Sequence, residues 1–295
     1  MNNFLSKFIF IIIILTGISG CKSEIKRTNK KQLVVSILPL KYFAEQIAGK
    51  NFEVSVLVPP GSSAENFEPT PREMTDLSKC NMYITTGNFG FDNVLMEKIS
   101  ALNPKLKIID VSKGIQLINS TNNIHNEKTF INVADPHIWL SPQMAKIIAR
   151  NIFAGLSSKF PLLKSTFYLN YQNLISDIDS LDKTIKKSLL QYKNRKFIIY
   201  HPALAYFARD YGLEQFSMEV DGKEPTPQNL SNLIDLAKKE NIHVVFIQKE
   251  FDIKMAKAFA QEINGKIIEI NVLSPNWLVN MKYITQSLIK SFNSQ

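Results

Sequence analysis

Short apolar runs alternate with segments of helical period along most of the chain. Leu33 to Ile37 reads as a buried strand, Leu40 to Ala48 as an amphipathic helix, and Phe52 to Val58 as a second strand stopped by Pro59-Pro60-Gly61. A loop leads to Thr70-Pro71-Arg72-Glu73, where Thr-x-x-Glu with proline at the first helical position predicts a capped helix. Met82 to Thr86 and Leu106 to Val111 then read as strands around a helix over Phe91 to Leu102, with a polar surface loop at Asn119 to Asn126. Such alternation predicts an α/β fold with a parallel sheet covered by helices.

The middle of the chain is different. A helix from Ser141 to about Ser158 is followed by Pro161. Apolar positions at helical spacing then continue from Leu162 to Tyr192 with no Gly or Pro. At 1.5 Å per residue that run spans roughly 45 Å, which predicts a rigid brace between two lobes. Beyond it the alternation restarts. Strands are expected at Phe197–Tyr200, Leu213–Glu219, His243–Gln248 and Lys266–Asn271, and helices at Pro202–Tyr211, Pro227–Lys239, Ile253–Asn264 and Trp277–Phe292. Glu68-Pro69-Thr70-Pro71 recurs as Glu224-Pro225-Thr226-Pro227, each copy followed by a helix and a strand, which points to two related lobes. The expected organisation is a leader over 1–20, a tether over 21–32, lobes over 33–160 and 193–295, and a linking helix over 161–192.

Composition sharpens this picture at the N-terminus. The 295 residues carry a net charge of +9, and 45% of them are hydrophobic, enough for folded cores. Residues 22–31 hold Lys22, Lys26, Arg27, Lys30 and Lys31 against Glu24, so much of the excess sits in one short segment. Basic residues clustered there without interleaved aromatics argue against nucleic-acid binding. Before them, Lys7 and the apolar stretch Phe8 to Ile18 form a secretory leader too short to span a membrane. Ile18-Ser19-Gly20-Cys21 has the form of a bacterial lipobox, which predicts acylation of Cys21. Acyl chains beside a basic segment make a two-signal anchor, so the body is expected outside the cytoplasm on a bacterial membrane. The one other cysteine, Cys80, then has no disulfide partner, and a thiolate metal site is not expected.

In open α/β sheets, ligands collect where strands end and helices begin. His137 lies in Asp135-Pro136-His137-Ile138-Trp139-Leu140-Ser141-Pro142, between an extended Asp-Pro entry and a Ser-Pro helix start. Glu65 falls in the loop after the second strand, His201 directly follows the strand ending at Tyr200, and Asn271 ends the last strand. Either histidine alone could be a satisfied core residue. Two imidazoles and a carboxylate from separate loops, however, form a donor set for a divalent cation that suits zinc. His125 in the polar loop and His243 at a strand start fail this positional test. Glu219, Asp221 and Glu224 are placed to line the cleft, but a solvated acidic loop is the reading favoured for them.

Three stretches, Phe67-Glu68-Pro69-Thr70-Pro71, Asp135 to Pro142 and Tyr200-His201-Pro202-Ala203-Leu204-Ala205-Tyr206-Phe207-Ala208, resemble the zinc- and manganese-binding solute receptors of ABC importers, the ZnuA-like family. The resemblance runs in order over nearly the whole mature chain. It implies two Rossmann-like lobes joined by a rigid helix, one metal ion in the cleft, and delivery of that ion to a membrane permease by a monomer that is not an enzyme. It also implies that His137 and His201 are ligands. Two positions depart from the family pattern. Glu65 stands where a histidine is usual, and Asn271 where an aspartate is usual, so the implied set is Glu65, His137, His201 and Asn271, with water as the alternative to the neutral Asn271 carbonyl. Two histidines favour zinc over manganese. Three rivals have distinct expectations: a chelate receptor needs a roomier cleft, a zinc hydrolase needs a catalytic motif that is missing, and an adhesion lipoprotein would use its metal structurally.

Overall fold

The structure, a computed structural model, describes residues 30–120, 133–219 and 223–294. The expected leader, Cys21, His125 and Asp221 lie outside these residues. Strands β1 (Lys31–Val35), β2 (Phe52–Val56), β3 (Met82–Thr85) and β4 (Lys107–Asp110) form one parallel sheet in the order β2-β1-β3-β4. Between them run α1 (Leu38–Ala48), α2 (Pro71–Ser78) and α3 (Gly90–Leu102). A two-stranded ribbon of β5 (Asn119–Ser120) and β6 (Val133–Ala134) then leads to a 3-10 turn at Ile138–Leu140. Lys31, expected in the tether, instead opens β1 because it pairs with Phe52.

The second half repeats this plan. After α4 (Pro142–Lys159) and α5 (Lys164–Leu189) come β7 (Lys196–Ile199), α6 (Ala205–Tyr211), β8 (Glu214–Ser217) and α7 (Pro227–Lys239). β9 (Val244–Gln248), α8 (Ile253–Glu262), β10 (Lys266–Ile270) and α9 (Trp277–Phe292) complete the chain. The second sheet is also parallel and runs β10-β9-β7-β8. Read by position within each half, both sheets have the order 2-1-3-4. The recurring Glu-Pro-Thr-Pro segments occupy equivalent places, since Thr70 caps α2 and Thr226 caps α7, each before the third strand of its sheet. Only the first copy completes a capping box, because its third helical residue is Glu73 whereas the second copy has Asn229.

The linking helix is shorter than periodicity predicts. Pro161–Leu163 form a 3-10 turn and α5 stops at Leu189, so its 26 residues span roughly 39 Å. One face buries Phe167, Leu174, Ile178, Leu181, Ile185 and Leu189 against α1, α4 and α9. Polar contacts pin it to both halves. Asn170 Nδ2 donates to Ile47 O (3.0 Å) in the first, and Tyr211 Oη donates to Asp182 Oδ1 (2.7 Å) in the second. One continuous apolar core therefore runs from Leu33 of β1 to Trp277 and Leu288 of α9, with α5 at its centre. Cys80 is buried in that core with its thiol pushed up to about 11 by burial.

Candidate metal centre

Each half contributes one histidine at a strand-to-helix transition. In the first, Asp135 ends the ribbon and its Oδ1 accepts hydrogen bonds from both the backbone N–H and Nδ1 of His137, each at 2.8 Å. The Ser141 hydroxyl caps α4 by accepting from Gln143 and Met144 N–H, with Pro142 at the first helical position as the sequence predicts. His137 is thus held from both sides. In the second half, His201 follows β7 and its backbone is clasped by Gln248 of β9. Gln248 Nε2 donates to His201 O (2.6 Å), and its Oε1 accepts from His201 N (3.3 Å).

The His201 ring has its own carboxylate, Glu219. Parallel pairing of β7 and β8 sets Ile199 beside Ser217, and two residues further His201 stands beside Glu219. There Glu219 Oε2 accepts from His201 Nδ1 at 2.6 Å. Glu219 is buried at 7% exposure, so the expected solvated acidic loop is corrected at this residue, while Glu224 is exposed as expected. With Nδ1 engaged by a carboxylate, each imidazole keeps its Nε2 as the electron-pair donor.

Both Nε2 atoms face Glu65. Its Oε1 lies 3.0 Å from His201 Nε2 and 3.7 Å from His137 Nε2, and the three donor atoms all lie within 4.8 Å of one another. Donors about 2.0–2.2 Å from a tetrahedral zinc stand roughly 3.3–3.5 Å apart, so these separations bracket what one ion requires. His201 Nε2 is buried with no hydrogen-bond partner in good alignment, which leaves a polar atom aimed at the centre. Burial opposes charge on His201, yet the carboxylates of Glu219 and Glu65 outweigh it and push the ring up to about 9. Burial likewise opposes charge on Glu65, but the two imidazoles hold its carboxyl below the ordinary range.

The cavity these donors share is about 30 Å³ and is walled by Phe89, Trp139 and Phe251. That volume holds an ion and a water or two, and is too small for an organic chelate. Phe251 stacks on His201 with centroids 5.3 Å apart, and Trp139 lies 5.3 Å from His137. Asn271 is placed differently from the other three expected residues. Its Oδ1 accepts from Leu273 N (3.0 Å), and it lines a neighbouring cavity with Pro59, Lys249 and Glu250. His243 packs through Nδ1 against Ile263 O (3.1 Å), away from the site.

Sequence reasoning missed Gln248 and Glu250, which line the small cavity beside the histidines, and misjudged Glu219. All three follow from the carboxyl-end rule once β7, β8 and β9 are known to be neighbours. Because outer carboxylates orient imidazole ligands, Glu219→Gln is expected to weaken metal binding by about 10–100-fold without unfolding the protein. Competition titration with a chromophoric chelator measures this; unchanged affinity would show that Glu219 plays no part in the site.

A family model described as zinc-uptake complex component A, periplasmic, matches residues 33–291. The chain is 26% identical over 272 residues to the high-affinity zinc uptake system protein ZnuA of Bacillus subtilis (strain 168), covering 90% of this chain and 85% of that protein. It is also 26% identical to the zinc-binding lipoprotein AdcA of Streptococcus pneumoniae (strain ATCC BAA-255 / R6), spanning 52% of that longer protein's length. A crystal structure of a ZnuA deletion mutant with zinc bound superposes with a TM-score of 0.82 at 35% identity, covering 90% of this chain and 99% of that one. A manganese-bound periplasmic metal binding protein from Candidatus Liberibacter asiaticus shares the fold with a TM-score of 0.78 at 20% identity, covering 89% of this chain and 100% of that one.

Proposed function

From the premise that this chain belongs to the zinc-uptake complex component A family, we propose that it captures one zinc ion outside the cytoplasm and passes it to an ABC permease. The observation that carries this reading is the convergence of His137 Nε2, His201 Nε2 and Glu65 Oε1, with each imidazole braced by a carboxylate. Two nitrogens and one carboxylate favour zinc over manganese, which prefers oxygen-rich sites. The small shared cavity argues for the bare ion over a chelate. Lobes related by one plan and clamped around a cleft suit a receptor that takes up cargo and releases it.

The chain works from a membrane surface in this proposal. Acylation of Cys21 and the basic segment after it supply the anchor. Among the described residues no helix is long and apolar enough to cross a membrane. The test is calorimetric titration of the metal-stripped protein with zinc, alongside circular dichroism before and after stripping. One zinc per chain, bound by an already folded protein, is expected, because none of the residues that build the apolar core is a donor to the ion. A fold that collapses on stripping would instead make the metal structural.

A further inference from the structure

The open-sheet rule places ligands at the point where strand order reverses, and in the second sheet that point lies between β7 and β9. The loop after β7 supplies His201. The loop after β9 is Lys249-Glu250-Phe251, and its Glu250 lines the same small cavity as His137 and His201. Phe251, the next residue, stacks on the His201 ring, so this loop is fixed against the site. Glu250 Oε2 is buried and has no hydrogen-bond partner among the described residues. A carboxylate oxygen hidden from water without a donor is costly unless something else satisfies it. The neighbouring position that could have served, Asn271, spends its carbonyl on Leu273 N.

We propose that Glu250 supplies the fourth donor to the bound ion, in place of Asn271. The proposal rests on the metal-receptor reading above. Its carboxylate is not one of the three donor atoms that lie within 4.8 Å of one another, so binding the ion requires its side chain to rotate further into the small cavity it lines. Glu250 also lines the neighbouring cavity of about 550 Å³, so its side chain is not tightly packed on that side. Two carboxylates, Glu65 and Glu250, then neutralise a doubly charged cation and complete a four-donor N2O2 set that zinc accepts. A neutral amide at 271 leaves this set intact, because the charge it lacks is supplied from the next loop.

The experiment compares wild type, Glu250→Gln and Asn271→Ala by zinc competition titration and by the visible spectrum of the cobalt(II)-loaded protein. Glu250→Gln keeps the shape of the side chain, and thermal melting confirms its fold; Glu250→Asp, which keeps a carboxylate, serves if the first variant is unstable. The expected result is a loss of at least about tenfold in zinc affinity and shifted cobalt bands for Glu250→Gln, as for a lost ligand. Asn271→Ala is expected to change affinity less than about twofold, as for a residue that is not a ligand. A folded Glu250→Gln with wild-type affinity and spectrum overturns the assignment while leaving the receptor reading standing. A wild-type protein that binds no zinc overturns both.

Discussion

His201→Ala is expected to weaken zinc binding by more than about 100-fold, since removing a ligand costs more than the 10–100-fold typical of its outer-shell partner. His201 concentrates more of the site than any other side chain. Its Nδ1 is held by Glu219, its ring by Phe251, its backbone by Gln248, and its Nε2 lies 3.0 Å from Glu65. Truncation leaves Glu219 buried without its partner and opens a void beside Phe251, so some stability is lost as well. Affinity measured by chelator competition on protein shown by circular dichroism to be folded separates the two effects. Glu65→His replaces the carboxylate by a third imidazole, a donor zinc also accepts, and is expected to keep zinc bound. A His201→Ala protein with near-native affinity would remove this imidazole from the site.

The largest expected effect on stability comes from Trp277. Trp277 begins α9 in the second half, but its ring packs among Tyr42 and Phe43 of α1 in the first. Its Nε1 donates to Trp139 O at 2.6 Å, and Trp139 Nε1 donates in turn to Val272 O at 2.8 Å. Both indoles are about 1% exposed. These two bonds, running in opposite directions between the halves, stitch them together two residues from His137. Trp277→Ala is expected to cost about 3–5 kcal/mol from the cavity alone, with more from the orphaned carbonyl of Trp139. Trp277→Phe refills much of the cavity and is expected to cost only about 1–3 kcal/mol, the value of the lost hydrogen bond in a buried setting. Urea unfolding of the two variants checks both figures. A loss below about 1 kcal/mol for Trp277→Ala would mean the contact is not part of the cooperative core.

The division between what is legible in the sequence and what is not follows the range of the interactions. Strand and helix alternation is local, so both sheets and every major helix are visible in the pattern of apolar positions. The Asp135-Pro136 and Ser141-Pro142 signals fix the backbone around His137 through turn and cap chemistry acting over a few residues. Glu65 and His201 are visible because each sits where a strand gives way to a loop. Glu219 is not visible in this way. Its role depends on the register that sets Ile199 beside Ser217, and an acidic residue in a polar stretch otherwise looks solvated. Gln248 and Glu250 depend likewise on β9 lying beside β7. The Trp139–Trp277 pair joins positions 138 apart in sequence, beyond the reach of any periodicity. Periodicity overstates the length of α5 because Leu162 and Leu163 continue the apolar pattern, although Pro161 starts a separate 3-10 turn.

The repeated 2-1-3-4 plan also explains how donors from distant parts of the chain meet. Each half presents its strand ends to the cleft, and the core around α5 holds the two halves at a fixed spacing. Glu65 reaches across from the first half to the histidine of the second. An ion held by these donors would join the two halves by the same contacts that bind it.

X-ray absorption at the zinc K-edge, on protein loaded with one zinc per chain, tests the central claim most directly. The account predicts two imidazole nitrogens and carboxylate oxygen, all about 2.0–2.2 Å from the metal, with the imidazole signal reduced to one ring in His201→Ala. A shell containing sulfur at about 2.3 Å, or one without imidazole, would contradict it.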